Sequence, residues 1–331
     1  MRSLAAVLWG LSALLPAQSL QLLPVADATT DQSQPTVNFG TSAELAFGKN
    51  YTSTPTFQVW FMRGHVLFDL GPAQAVSRVP VRATFHWYQS HATPAGCLDV
   101  SLHRLLAPFA ETTVTWQNQP AFDPLVVATA CVGSNGGNGW KDFDVTALVQ
   151  GWLDGTWPNF GFVVRDPSES PAGAARPGFG HSRENGNPAL APWLEIEFAD
   201  RFGWGCSMRA LFPMSDVAAG APRLGGSFVL RTISVMQGSV VGVLFGTSNT
   251  TWSGGALPWS LAPIGIPYCN LYVSPDIAVT LPIVNTGSFD LTVPLPNQPG
   301  LVGASLFMQA VALPPQIGLE MGNGVGVVLR N

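Results

Sequence analysis

The chain has 331 residues, a net charge of −5 and only 11% charged residues, with 35 glycines and 28 prolines. Few charges and many turn formers argue for an all-β protein rather than a helical one, long enough for two ordinary domains. With no basic run anywhere, a nucleic-acid partner has no footing.

The chain opens MRSLAAVLWGLSALLPAQS. Arg2 supplies a positive start, Leu4 to Leu15 an apolar core, and Ala17-Gln18-Ser19 a small-residue cleavage signal. The expectation is a leader over residues 1–19 and a mature protein that is secreted or held at the cell surface. No later segment has 18 uninterrupted apolar residues, so no transmembrane segment is expected after the leader.

Export permits disulfides. The four cysteines are Cys97, Cys131, Cys206 and Cys269, and three pairings are possible in principle. Two fall in each half of the chain, which favours Cys97–Cys131 and Cys206–Cys269. The absence of Cys-x-x-Cys gives structural zinc and redox catalysis no support.

Next comes DATTDQS, in which Asp27 and Asp31 are candidate oxygen ligands for a structural calcium. A strand-initiating turn would use the same aspartates without a metal. Period-2 runs then recur between turn signals: RGHVLFDL, RATFHWYQ, LDVSLHRLL, GFVVRD and WLEIEFA. Alternation puts Gly64, Val66, Phe68 and Leu70 on one face and Arg63, His65 and Asp69 on the other. Ala83, Phe85 and Trp87 likewise oppose Thr84, His86 and Tyr88, and Leu98, Val100 and Leu102 oppose Asp99, Ser101 and His103. One apolar and one mixed face fit an antiparallel sandwich.

VGSNGGNGW, residues 132–140, reads as a glycine hairpin, not a phosphate loop. After it KDFDV alternates like a strand, Asp144 is placed to cap a short helix, and Val145, Leu148, Val149 and Trp152 form one apolar stripe. Trp152 is therefore expected in the core and Gly155 at the helix end. The exposure of Trp140 and Trp157 is left open.

A boundary falls near residue 200. Residues 20–200 carry 9 basic and 16 acidic residues, whereas 201–331 carry 5 and 4. GSFVLRTISV, SVVGVLFG, CNLYVSPD, IAVTLPIV, SFDLTVPLP, ASLFMQAVAL and GVGVVLR give seven short strands and a second sandwich over 200–331.

No Gly-x-Ser-x-Gly, His-Glu-x-x-His or Gly-x-x-x-x-Gly-Lys motif occurs. Glu195 and Glu197 share a strand face, but sequence does not place them across a cleft. His65, His86 and His103 each fall on the mixed face of a different strand. Adjacent strands would gather them with Arg63, Tyr88 and Asp99 into a group able to bind a sugar acid or a transition metal. Trp140, beside the glycine loop, joins Arg63, His65, His86, Tyr88 and His103 as a candidate ligand-binding residue. The plain alternative is three solvent-facing histidines.

ADATTDQSQPTVNFGTSAELAFG, RGHVLFDL, VRATFHWY, ETTVTWQNQP, GWKDFDVTALVQGWLDG with NFGFVV, and SRENGNPALAPWLEIEF follow in order over residues 25–199. They resemble the DNRLRE family of extracellular β-sandwich modules, which is related to alginate-type carbohydrate-binding modules. The resemblance implies a jelly-roll-like sandwich and a non-catalytic role in contact with extracellular polysaccharide or cell wall. Two departures stand out. Gln119 replaces the family's arginine, and residues 20–199 carry 9 basic and 15 acidic residues, a net −6. An anionic glycan would want several Lys or Arg on one face, so a neutral glycan stacked on Trp or Tyr fits better. FGWGC, LPWSLAPIGIPYCNLYVSPD and GNGVGVVL resemble a C-terminal module of exported proteins from aquatic bacteria; that resemblance implies a Cys206–Cys269 pair and suggests surface attachment. The alternatives to a glycan contact are a structural or adhesive surface protein and, third, an unrecognised polysaccharide-degrading enzyme. No cofactor is expected beyond the structural calcium.

Overall fold

The computed structural model describes residues 19–331 except 53–56, 77, 93–96, 134–137, 173–175 and 316–317, and leaves the side chains at 92, 97, 98, 133 and 176 undescribed. It is an all-β protein of antiparallel sheets, and its chain contacts divide it into two units, Ser19–Phe198 and a second beginning at Ala199. The expected leader lies outside the described residues except Ser19, which begins the first strand.

The first unit holds β1 (Ser19–Leu22), β2 (Pro24–Asp31), β3 (Glu44–Thr52), β4 (Gln58–Phe68), α1 (Gly71–Val76), β5 (Pro80–Ala92), β6 (Cys97–Arg104), β7 (Ala128–Gly133), β8 (Gly139–Asp144), α2 (Thr146–Leu153), β9 (Phe162–Arg165), β10 (Arg176–His181) and β11 (Trp193–Phe198). The hydrogen-bonded order is β1-β11-β5-β10-β3-β4-β9-β6-β7, with β2 added beside β4 and β8 beside β5. This path folds over itself around a core of Leu45, Phe47, Val66, Phe68, Phe85, Trp87, Leu102, Phe143, Phe162 and Leu194. The alternation read from the sequence assigns its inward faces: Val66, Phe68, Leu70, Ala83, Phe85, Trp87, Val100 and Leu102 are all buried.

α2 covers one edge of the core. Val145, Leu148, Val149 and Trp152 are buried as the stripe requires. The cap is one residue off expectation, because Val145 occupies the N-cap position and makes no side-chain bond. Asp144 acts from just before it, accepting from the Thr146 amide at 3.0 Å and the Thr146 hydroxyl at 2.7 Å. Trp157 lies flat against Gly151, where a β-carbon would come within 2.4 Å of the ring.

The turn of the glycine hairpin expected over 132–140 lies outside the described set of residues. Of its described flanks, β7 pairs with β6 and β8 pairs with β5. The side chain of Cys97 is also outside that set, and the expected Cys97–Cys131 bond with it.

The second unit has a five-stranded sheet and a three-stranded sheet. The first is built from β12 (Asp200–Phe202), β15 (Ser239–Gly246), β20 (Ile277–Val284), β22 (Ser305–Leu313) and β23 (Glu320–Val328), the second from β13 (Met214–Gly220), β14 (Ser227–Ile233) and β21 (Ser288–Pro294). Two small hairpins, β16 (Thr251–Trp252) with β17 (Gly255–Ala256) and β18 (Trp259–Ser260) with β19 (Asn270–Leu271), lie between β15 and β20 in the chain. Of CNLYVSPD only Asn270–Leu271 is strand, because Asp276 instead anchors a loop by accepting from the Thr247 amide and hydroxyl at 2.9 and 2.8 Å. Cys206 and Cys269 form the expected disulfide, packed with Leu261, Leu271 and Met321.

Candidate functional site

The three histidines do not meet. His65 and His103 sit in one cross-strand row, both opposite Val163 on the intervening β9, whereas His86 is on β5, several strands away. Nor do those two face solvent. His65 is fully buried against Phe109, and His103 is 3% exposed against Phe122, both rings coming from the segment between β6 and β7. That cover is invisible to a period-2 reading, which finds faces but not what lies over them.

Arg63, on the same covered face, is clamped by Glu169 through two bonds of 2.7 Å, and its guanidinium lies 4.6 Å from the Trp116 ring. Arg165 also binds Glu169. Burial alone would raise the Glu169 pKa, but the bonds from Arg63 and Arg165 outweigh it and hold the carboxylate below its usual range. Burial pushes the His65 pKa down to about 3, so the ring is neutral at physiological pH. The Arg63 and Ala28 carbonyls favour its protonated form, yet neither makes a hydrogen bond of ordinary geometry with the ring. His103 is lowered by burial too, and its nitrogens are used by the Asp123 carbonyl and the Ser101 hydroxyl, each at 2.9 Å. Arg63, His65 and His103 thus tie a loop to a sheet and offer a ligand no open surface; Asp99 is exposed on β6, apart from Tyr88 on β5.

His86, Tyr88 and Trp140 do come together, in company the strand reading had not assembled. Trp193 on β11 and Asp142 on β8 are the cross-strand neighbours of His86, and Trp140 is that of Tyr88. The His86 ring stacks on Trp193 with centroids 4.0 Å apart. Trp140 meets Trp193, His86 and Tyr88 edge-on at 6.3, 6.4 and 5.4 Å, and Tyr88 stacks on His181 at 5.4 Å. Five rings therefore form one connected surface across β11, β5, β8 and β10. It stays open: Trp140 is 40% exposed and the other four are partly exposed. Asp142 holds His86 Nδ1 at 2.7 Å while keeping 56% of its side chain in solvent, and Glu195 lies 3.5 Å from Nε2.

The position of Trp193 was legible, since Trp193, Glu195 and Glu197 alternate against Leu194 and Ile196. His181 ends RPGFGH, a segment whose proline and two glycines carry no alternating strand pattern. It is a strand because glycine lets it cross the Trp87 indole: a β-carbon on Gly180 would fall 2.2 Å from the Tyr88 carbonyl and 2.3 Å from that ring.

Asp27 and Asp31 do not form a pair. Asp31 closes its own turn, accepting from the Ser33 amide at 2.7 Å and hydroxyl at 2.6 Å. Asp27 is buried and grouped instead with Glu111 and Glu184, one oxygen from each lying within 4.8 Å of the others. Oxygen donors of this kind suit a hard cation such as calcium. Positive charge is already supplied by Arg183, whose guanidinium reaches Glu111 at 3.3 Å and Glu184 at 3.1 Å, while its amide binds Asp27 at 2.9 Å. Burial, reinforced by Glu184 and Glu111, pushes the Asp27 pKa up to about 8, so the residue keeps its proton at neutral pH.

The model of carbohydrate-binding module family 96 matches residues 18–197, just over half of the chain. The chain belongs to this family. The family 96 module coincides with the first unit and carries the ring surface. No curated protein matches. Among solved structures, the chain is similar to a β-glucuronidase of Bacteroides uniformis, at 8% identity and a TM-score of 0.23 over 94% of this chain and 32% of that one. It is also similar to a tetra-tandem repeat from the extending region of a large adhesion protein, at 11% identity and 0.20 over 92% and 66%. A third is a β-1,2-glucanase from Parabacteroides distasonis, at 11% and 0.20 over 87% and 37%. The chain thus spans about a third of each of these two enzymes. Among the described residues, no helix is long and apolar enough to cross a membrane.

Proposed function

We propose that the family 96 module binds a neutral extracellular polysaccharide on the open face formed by Trp193, His86, Trp140, Tyr88 and His181. The observation that carries this reading is the unbroken series of ring contacts on one face, left uncovered among the described residues. The apolar CH face of a sugar ring packs on an indole, while carboxylates at the same surface accept from its hydroxyls. Asp142 and Glu195 stand where such acceptors are needed. Their charge, with Glu44 on the neighbouring β3, disfavours anionic polymers, and Arg82 beside them is engaged by Glu197 at 2.9 Å.

The role is binding and not catalysis, in keeping with the family. The protein works outside the cell or at its surface, a reading supported by the leader-like start of the sequence and by the Cys206–Cys269 disulfide. The test is retention of the full chain on insoluble neutral polysaccharides (cellulose, mannan, xylan and β-1,3-glucan) beside alginate, with released reducing ends measured in parallel. Retention on a neutral polymer without product release is expected. Preference for alginate, or steady product release, would overturn the reading.

A further inference from the structure

We propose that the second unit carries a sugar-binding pocket of its own, lined by the neighbouring indoles of Trp252 and Trp259. The β16–β17 hairpin turns through Ser253 and Gly254, whose φ angles of 48° and 79° are those of a tight two-residue hairpin turn. It sets Trp252 opposite Trp259, which is held on β18 by pairing with Leu271. The two ring centroids are 5.3 Å apart and the planes open at 50°. Beside this ring pair lies a cavity of about 320 Å³ lined by Trp252, Ser253, Gly255, Ala256, Leu257 and Trp259. That volume is at the small end of the range for small-molecule sites, roughly 300–1,000 Å³.

Its support is rigid on one side and free on the other. Trp252 and Leu257 pack against the cluster formed by the Cys206–Cys269 disulfide, Leu261, Leu271 and Met321. Trp259 is 44% exposed and forms the outer wall. An indole of that size left open beside a cavity is surface that folding did not use.

The chemistry of the lining selects the ligand. No charged side chain faces the cavity, which removes any basis for binding an anion or a metal. Indole surface and one serine hydroxyl match a neutral pyranose ring, with its CH face on the exposed Trp259 and its hydroxyls toward Ser253 and solvent. A quaternary ammonium group is favoured less, because no carboxylate lines the pocket and two rings in mutual contact do not form a cage. The pocket belongs to a different unit from the ring surface of the family 96 module, so it stands or falls separately.

The experiment is calorimetric titration of the full chain with cellohexaose, mannohexaose, xylohexaose and laminarihexaose, and with tetramethylammonium as the cationic probe. The parent is compared with Trp259→Ala, Trp259→Tyr and Trp140→Ala. At least one hexaose should occupy a site that Trp259→Ala weakens about tenfold, the loss of one stacked ring. Trp259→Tyr should restore that site, and Trp140→Ala should leave it unchanged. Thermal unfolding close to that of the parent checks that Trp259→Ala folds, and the tyrosine variant keeps the test decisive where it does not. The proposal is overturned if no hexaose binding responds to Trp259→Ala, if none of the four binds, or if tetramethylammonium binds there and the sugars do not. Loss of binding in Trp140→Ala alone would support the first-unit reading and refute this one.

Discussion

Trp140→Ala removes the ring that joins the stacked Trp193–His86 pair to Tyr88. At 40% exposure, about 120 Å² of a ring system of roughly 200 Å² is covered by neighbours. At ~25 cal/mol per Å², losing that contact costs at most ~3 kcal/mol of stability, and less once unfolded-chain burial is counted. The strand itself survives, because Phe143 and Lys141 point inward from the same β8 and the pairing with β5 is backbone. Binding should suffer in proportion to the exposed part: a tryptophan at the centre of a contact surface is worth about 2 kcal/mol, or ~30-fold in affinity. The assay is retention on whichever neutral polymer holds the parent, run at least 15 °C below the variant's unfolding midpoint, with Trp152→Ala as a partner that perturbs the core and not the face. Weakened retention in Trp140→Ala, unmatched by Trp152→Ala, is expected. Unchanged retention in Trp140→Ala would refute the stacking argument.

Trp152→Ala should destabilise the first unit by ~3–5 kcal/mol, since the ring is 95% buried and the space cannot be refilled by α2; chemical denaturation measures it. Asp27 has a folded pKa of about 8 against 3.8 for the free group, so its contribution to stability is complete below pH ~4 and is lost as pH rises toward 8. Buried His65 acts in the opposite direction below its ordinary pKa of 6.5, so the parent's own curve mixes the two. The difference between Asp27→Asn and parent isolates Asp27: the melting temperature of the variant should gain on the parent steadily from pH 4 to 8, and a constant difference would contradict the assignment. Gly180→Ala should disrupt β10, with loss of the Tyr88–His181 stack, because its β-carbon meets backbone at 2.2 Å and an indole at 2.3 Å; a variant with parental stability and binding would show that the strand can shift at no cost.

Much of the fold was legible because burial in a sandwich follows a period of two. Val66, Phe85 and Leu102 announce their faces through alternation alone, and the stripe from Val145 to Trp152 does so through a helical period. What alternation reports, however, is the inner face. The outer faces of β4, β9 and β6 taken together look the same in sequence as those of β5, β8 and β11, for both sets combine His with charged residues: His65 and His103 with Arg63 and Arg165, and His86 with Asp142 and Glu195. The difference is the segment between β6 and β7, which places Phe109, Trp116 and Phe122 over the first set, while Trp140 on the second stays 40% exposed. Its course depends on long-range contacts such as Gln117 with Pro35 and Asn38 with Glu111 and Val114, which no local pattern encodes. Hence residue type alone marks Arg63, His65 and His103 as ligand candidates, while the cover over them is not readable from any local pattern.

The same distinction explains why the open face is credible as a binding surface. A sheet's outer face normally protects itself with charged side chains, and β11 does so at Glu197 with Arg82. From His86 toward His181 the protection gives way to rings, and the charges that remain, Asp142 and Glu195, flank an imidazole without covering it. Folding alone does not require this. Trp87, whose burial the core does require, lies on the opposite side of the same strand with no exposed surface. Trp140 and Trp193 add little to that core and leave apolar area in water, an arrangement that is stabilised only when something apolar on one side and hydroxylated on the other settles on it. A pyranose has that character, and so the rings left over by the packing argument are the ones the functional argument needs.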